Sequence, residues 1–134
     1  MVDGSFGILL AVALGSAAGG VLRHLLTETA IRLVGGGFPW GTLLVNVAGS
    51  AAMGAVAAIA GGLSGSAPWS PIARHAAMTG VLGGFTTFSA FSMQTVALAG
   101  HGEWLAAGLN VGLSIAACLG ACWAGYAGLA WVAR

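Results

Sequence analysis

Charge is what this sequence has least of. Its 134 residues include three acids and four basic residues, for a formal net charge of +1. A soluble domain of this size would carry charge on about 25% of its residues, and here the share is 5%. That shortage excludes a soluble globular domain. No basic patch exists to suggest a nucleic-acid partner. Cysteine is also scarce: Cys118 and Cys122 are the only two. They lie one helical turn apart in an apolar stretch with no His or acid close in sequence. Such thiols ordinarily serve as small packing residues, not as a disulfide or metal site. A basic segment ahead of the first apolar run is missing as well, since only Asp3 and the amino terminus precede it. No cleavable signal peptide is therefore expected.

Apolar and small residues take up the room. The chain is 58% hydrophobic with 24 glycines, and its mean hydropathy is +0.97. This is the composition of an integral membrane protein. The intervals free of formal charge are 4–22, 33–73, 75–102 and 104–133. A spanning helix needs about 20 apolar residues. The second interval is too long for one helix and contains GGLSGSAPWSP (61–71), which reads as a loop. The expected fold is thus all-α, a single transmembrane domain over 1–134. Its four helices fall near 6–30, 41–62, 72–99 and 104–131.

Four spans place both termini on one side, together with Arg74 and Arg134. Arg23 and Arg32 lie on the other. Two arginines against two give no orientation by the excess of positive charge on the cytoplasmic side. Either Arg23 is partly buried and does not count, or the chain inserts both ways, which makes an antiparallel pair possible. Four short helices can hardly enclose a lined pathway alone. Small residues recur four apart at Gly15/Gly19, Gly80/Gly84, Gly108/Gly112 and Ala121/Gly125. Such pairs let helices approach closely in lipid, within one chain or between two.

Polar groups inside a span need partners, because hydrocarbon offers none. Thr42, Asn46 and Ser50 stand at i, i+4 and i+8 and line one face of the second span. Asn110 and Ser114 do the same on the fourth. These side chains carry amide and hydroxyl donors that suit an anion, and they equally suit hydrogen bonding between helices. Arg23, at the end of the first span, either reaches to the headgroups or raises the anion concentration in a water-filled vestibule. The spacing of His24, His75 and His101 suggests no metal site.

The stretch GGFTTFSAFS (83–92) sits within an uncharged run from His75 to Gly102. Gly83-Gly84 weakens helix propensity at mid-membrane, so a break near 83–87 is expected. Thr86 and Thr87 can satisfy the freed backbone groups. A break exposes carbonyl oxygens, hard ligands suited to a small cation. Phe85, Phe88 and Phe91 are three apart. They form either an aromatic packing ridge or a set of positive ring edges able to hold an anion without formal charge.

On three segments the chain resembles the Fluc (CrcB-type) fluoride channel family: Gly19-Gly20…Arg23, GTLLVNVAGS (41–50) and GGFTTFSAFS (83–92). The resemblance covers essentially the whole chain. It implies a multi-pass protein of the bacterial inner membrane. It further implies an antiparallel, dual-topology homodimer with two pores, passing fluoride passively out of the cytoplasm in preference to chloride. Carried over by motif, Asn46 is the pore asparagine, Phe88 and Phe91 are the paired pore phenylalanines, and Arg23 is the vestibule arginine. Thr42, Ser89 and Ser114 join the fluoride pathway, with Asn110 a looser match. The break resembles the site of a central structural sodium ion, held by the carbonyls of Gly83 and Thr86 from both subunits. Three positions depart from the family's pattern. Ala90 stands where Thr is common, Gln94 where Glu is common, and Ala51 where an aromatic is frequent.

Two rival readings follow from the residues. A small dual-topology multidrug exporter needs a membrane-embedded carboxylate, and Asp3, Glu28 and Glu103 all lie near predicted helix ends. A structural membrane protein without transport would use the polar stripes only to hold helices together. Neither rival is an enzyme, nor is the channel.

Overall fold

Each uncharged interval of the sequence holds a spanning helix, and two of the four spans, the first and the third, outrun the interval that marks them. A computed structural model of the chain describes residues 2–61 and 69–132. Helix α1 runs Val2–Val34 and α2 runs Trp40–Ala60. The third span comprises a first turn, α3 (Pro71–Arg74), a π-helical stretch (His75–Leu82), a single turn, α4 (Gly83–Phe85), and α5 (Phe88–Gly100). Helix α6 covers Trp104–Val132. Four of these spans are long and apolar enough to cross a membrane. Of the expected loop at 61–71, residues 62–68 lie outside the described residues, as does Arg134.

Against the expected span 6–30, α1 runs four residues further at each end. At 1.5 Å per residue, its 33 residues reach about 50 Å, beyond a hydrocarbon core of about 30 Å. Arg23, Glu28 and Arg32 occupy the helical excess. Charge marks where hydrocarbon ends, whereas backbone hydrogen bonding continues into the headgroups.

The bundle is built from two helix pairs. α1 packs on the third span up to its break, and α2 packs on α6, with α1–α2 and α5–α6 contacts joining them. Small residues set both pairings. A Cβ on Gly84 would lie 2.6 Å from the Ser16 carbonyl oxygen, and one on Gly19 would lie 2.8 Å from the Phe85 amide. Likewise Gly54 and Gly125 leave no room for a side chain against the Cys122 and Ala51 carbonyls. The Gly15/Gly19 and Gly80/Gly84 pairs therefore meet each other within one chain. Gly108 and Gly112 face open space.

Little is fully enclosed. Val45 and Asn110 are the largest fully buried side chains, and α2 is the most buried span. Leu9, Leu14, Leu105, Leu119 and Trp123 point outward, where lipid solvates them as well as a protein core would.

The break falls within the expected 83–87, at its threonine end. Gly83 is helical (φ −65°, ψ −37°), while Thr86 (φ −81°, ψ 159°) and Thr87 (φ −151°, ψ 113°) are extended. Gly84 serves the close approach to α1 instead, whereas a Cβ on Gly83 would meet only the Met78 carbonyl of its own span at 3.5 Å. Both threonine hydroxyls finish the interrupted helix ends. Thr86 Oγ1 donates to the Leu82 carbonyl at 3.0 Å, and Thr87 Oγ1 accepts the Ala90 amide at 3.2 Å.

Candidate functional site: an uncharged cavity beside the break

The interruption in the third span is held from outside by one side chain. Asn46, on α2, accepts the Thr87 amide on Oδ1 at 2.8 Å and donates from Nδ2 to the Thr87 carbonyl at 3.0 Å. In a continuous helix the Thr87 amide would bond the Gly83 carbonyl, and the Ala90 amide the Thr86 carbonyl. Those two amides are taken by Asn46 and by the Thr87 hydroxyl. The Gly83 and Thr86 carbonyls thereby lose their helical donors, and carbonyl oxygens left in this way would suit a small cation. Among the described residues, Asn46 keeps one N–H without a partner.

Beside this junction lies a cavity of about 400 Å³, walled by α2, the break, the start of α5 and α6. Asn46, Ser50, Thr86, Thr87 and Ser114 give it polar groups, Phe88 and Phe91 give it aromatic rims, and no residue lining it is formally charged. The two rings lie 5.2 Å apart between centroids and are tilted by 47°. Phe91 is buried at 9% exposure, whereas Phe88 stands out at 78%. The lining can therefore meet an anion with hydrogen-bond donors and ring edges.

Four residues singled out from the sequence, Asn46, Phe88, Phe91 and Ser114, come together here. Thr42 does not join them. It is buried and lines a second cavity of about 220 Å³ near the α1–α2 connection, with Thr27, Gln94 and His101. The stripe Thr42–Asn46–Ser50 is thus divided between two cavities. Ser89 lies outside both, exposed, with its hydroxyl 3.2 Å from that of Thr87. Arg23 sits half-exposed on α1 and lines neither.

Sequence reasoning missed the partner of Asn110. That asparagine is 2% exposed, and its Nδ2 donates to Thr95 Oγ1 at 2.8 Å, which in turn donates to the Phe91 carbonyl at 2.8 Å. Thr95 follows Phe91 by four residues, a spacing that could have flagged it. One group goes without: among the described residues, the buried Gln94 Oε1 has no hydrogen-bond partner.

Four apolar spans, a broken third one and an uncharged, largely apolar cavity beside the break define the class: a small multi-pass membrane protein. Residues 10–126 match the family model described as CrcB-like protein, Camphor Resistance (CrcB), and the chain belongs to that family. A relative from Paramagnetospirillum magneticum is 52% identical over 118 residues, covering 86% of this chain and 89% of the relative. One from Photobacterium profundum is 46% identical over 122 residues, covering 90% and 93%. A third, from Opitutus terrae, is 46% identical over 119 residues, covering 89% of each. All three are named fluoride-specific ion channel FluC. This chain is a multi-pass bacterial membrane protein.

Proposed function

We propose that the protein is a fluoride-selective channel that lets cytoplasmic fluoride leave passively down its electrochemical gradient. The observation that carries this is the uncharged cavity where Asn46, Ser114, Phe88 and Phe91 converge, in a chain whose relatives are named for fluoride. Fluoride is small and strongly hydrated, so a selective route must replace its water with donors. Asn46, Thr87 and Ser114 offer neutral ones, and the ring edges of the two phenylalanines fill the gaps. A fixed acid would repel the ion, and a buried arginine would trap it.

The working unit is an antiparallel pair of chains with two pores. The even split of arginines supports insertion in both directions, and the exposed Phe88 beside an open cavity supports a second copy completing each pore. A sodium ion at the pair's centre would be held by the Gly83 and Thr86 carbonyls of both copies, where it would neutralise the partial negative charge of the interrupted helix end. The carbonyls freed by Asn46 and Thr87 support this reading. Thr42 and Gln94, in the second cavity, belong to an approach to the pore, and Arg23 to its outer field.

The test is efflux from proteoliposomes followed with a fluoride electrode and repeated with chloride. Passive fluoride release, slight chloride leak and no need for a proton gradient are expected. Vesicles that hold fluoride as well as protein-free ones overturn the proposal. Release that requires a proton gradient points to an exporter instead.

A further inference from the structure

The sulfur atoms of the central cavity have no part in fluoride binding as proposed above. Cys118 and Cys122 are both free, both half-buried, and both line that cavity from α6. Met53 lines it from α2. One turn apart on a helix, the two cysteines have Cβ atoms about 5–6 Å from each other, a separation that a single metal ion can bridge. Met53 lies on α2 at the level of Cys122 on α6, as the packing of its neighbour shows. Gly54 is pressed against the Cys122 carbonyl, and a Cβ there would lie 2.9 Å from the Tyr126 amide. Thiols used only as small packing residues would be shut between helices, as Ala58 and Ala60 are. These two open onto a space with room for an ion and water.

We propose that Cys118, Cys122 and Met53 form a binding site for a soft divalent metal ion of the cadmium type, and that the bound ion blocks the route through the cavity. Sulfur ligands select soft cations, whereas magnesium prefers oxygen. Binding forms three metal–sulfur bonds, two to the cysteine sulfurs and one to the Met53 thioether, displaces water from the ion and breaks two S–H bonds. Each thiol releases its proton to water, and no oxidant or reductant takes part. The product, one divalent ion with two thiolates, is neutral overall. Neutrality matters in a lining without charges, where an uncompensated ion would be expensive. The thioether of Met53 adds a third soft ligand without adding charge. The site stands on the cavity's geometry, and only the blockade rests on the channel reading.

The test uses two readouts. Purified protein in detergent is titrated with cadmium, and with magnesium as control, while the ultraviolet thiolate-to-cadmium absorption is followed. The same protein in liposomes is assayed for fluoride efflux, with and without cadmium, so each variant serves as its own reference. A saturable band is expected with cadmium and none with magnesium. It should vanish in Cys118→Ser/Cys122→Ser and need more cadmium in Met53→Leu. Cadmium should remove most of the wild-type flux and leave the flux ratio of the double variant near one. Absence of the band, or its survival in the double variant, overturns the site. A band without slowed efflux overturns the blockade. If no fluoride leaves the vesicles before cadmium is added, the channel reading fails, and the band still decides the metal site. The single serine variants provide the same comparison should the double one not fold.

Discussion

Asn46 and Asn110 are the same side chain on two neighbouring helices, α2 and α6, and they meet different needs. Asn110 is enclosed and bonds another side chain, Thr95, closing a relay onto the Phe91 carbonyl. Asn46 lies at a cavity wall and bonds the backbone on both sides of Thr87. One fastens two intact helices together, and the other replaces a hydrogen bond that a broken helix no longer makes. An asparagine of the first kind is structural glue, which in membranes is typically worth less than about 1–2 kcal/mol. An asparagine of the second kind sets where the break falls, and so where Phe88 and the freed carbonyls point.

The hardest blow to that contrast should come from Asn46→Asp. A carboxylate keeps the acceptor for the Thr87 amide but turns an oxygen on the Thr87 carbonyl, so two acceptors face each other. It also places negative charge on the proposed fluoride route. Fluoride efflux should fall to the level of protein-free vesicles, while the proposed pair should still form, read as an unchanged size on gel filtration. Asn46→Ala should lower thermal stability as well, because it leaves a backbone donor and acceptor unpaired at about 1–3 kcal/mol each. Flux preserved in Asn46→Asp would show that the cavity is not the route.

The two phenylalanines come next and should separate from each other. Phe88→Ile removes a ring that stands exposed on the single chain. Efflux should drop sharply with little change in melting temperature. Phe91→Ile alters a buried ring and should cost about 1–2 kcal/mol of stability in addition to flux. Unchanged flux in both would remove the ring edges from the mechanism. Asn110→Ala is expected to cost about 1 kcal/mol in stability and to reduce efflux far less than Asn46→Ala. Equal losses of flux would collapse the distinction between the two asparagines.

Much of this arrangement could be read from the residues, and the parts that could not share one cause. Span number and position followed from seven charged positions, because hydrocarbon penalises charge so steeply that its edges are written into the sequence. That Asn46 and Phe88 matter could also be read, from polar or aromatic groups standing where lipid should be. Register between helices could not. The stripe Thr42–Asn46–Ser50 looks continuous on one helix, yet Asn46 and Ser50 line one cavity and Thr42 another. The glycine pair reads equally as a weak point in the helix or as a close approach, since low helix propensity and tight packing both call for Gly. Only the position of Ser16 on α1 shows which need Gly84 answers. The π-helical stretch before the break has no counterpart in the sequence pattern.

Gln94 offers the smallest expected effect, and its sign is opposite to the rest. It lines the second cavity, and among the described residues its Oε1 is buried without a donor. A buried acceptor left unpaired carries a desolvation penalty of about 1–3 kcal/mol. Gln94→Leu removes that acceptor and keeps most of the volume, so thermal unfolding should shift upward by a few degrees at most. Efflux should fall only modestly, because the change lies on the approach and away from Asn46. A fall in melting temperature would mean that Oε1 does have a donor, and that donor would have to come from water in the cavity or from a second copy of the chain. Comparing the shift in detergent at high and low protein concentration separates those two sources, since only the second weakens as the pair dissociates.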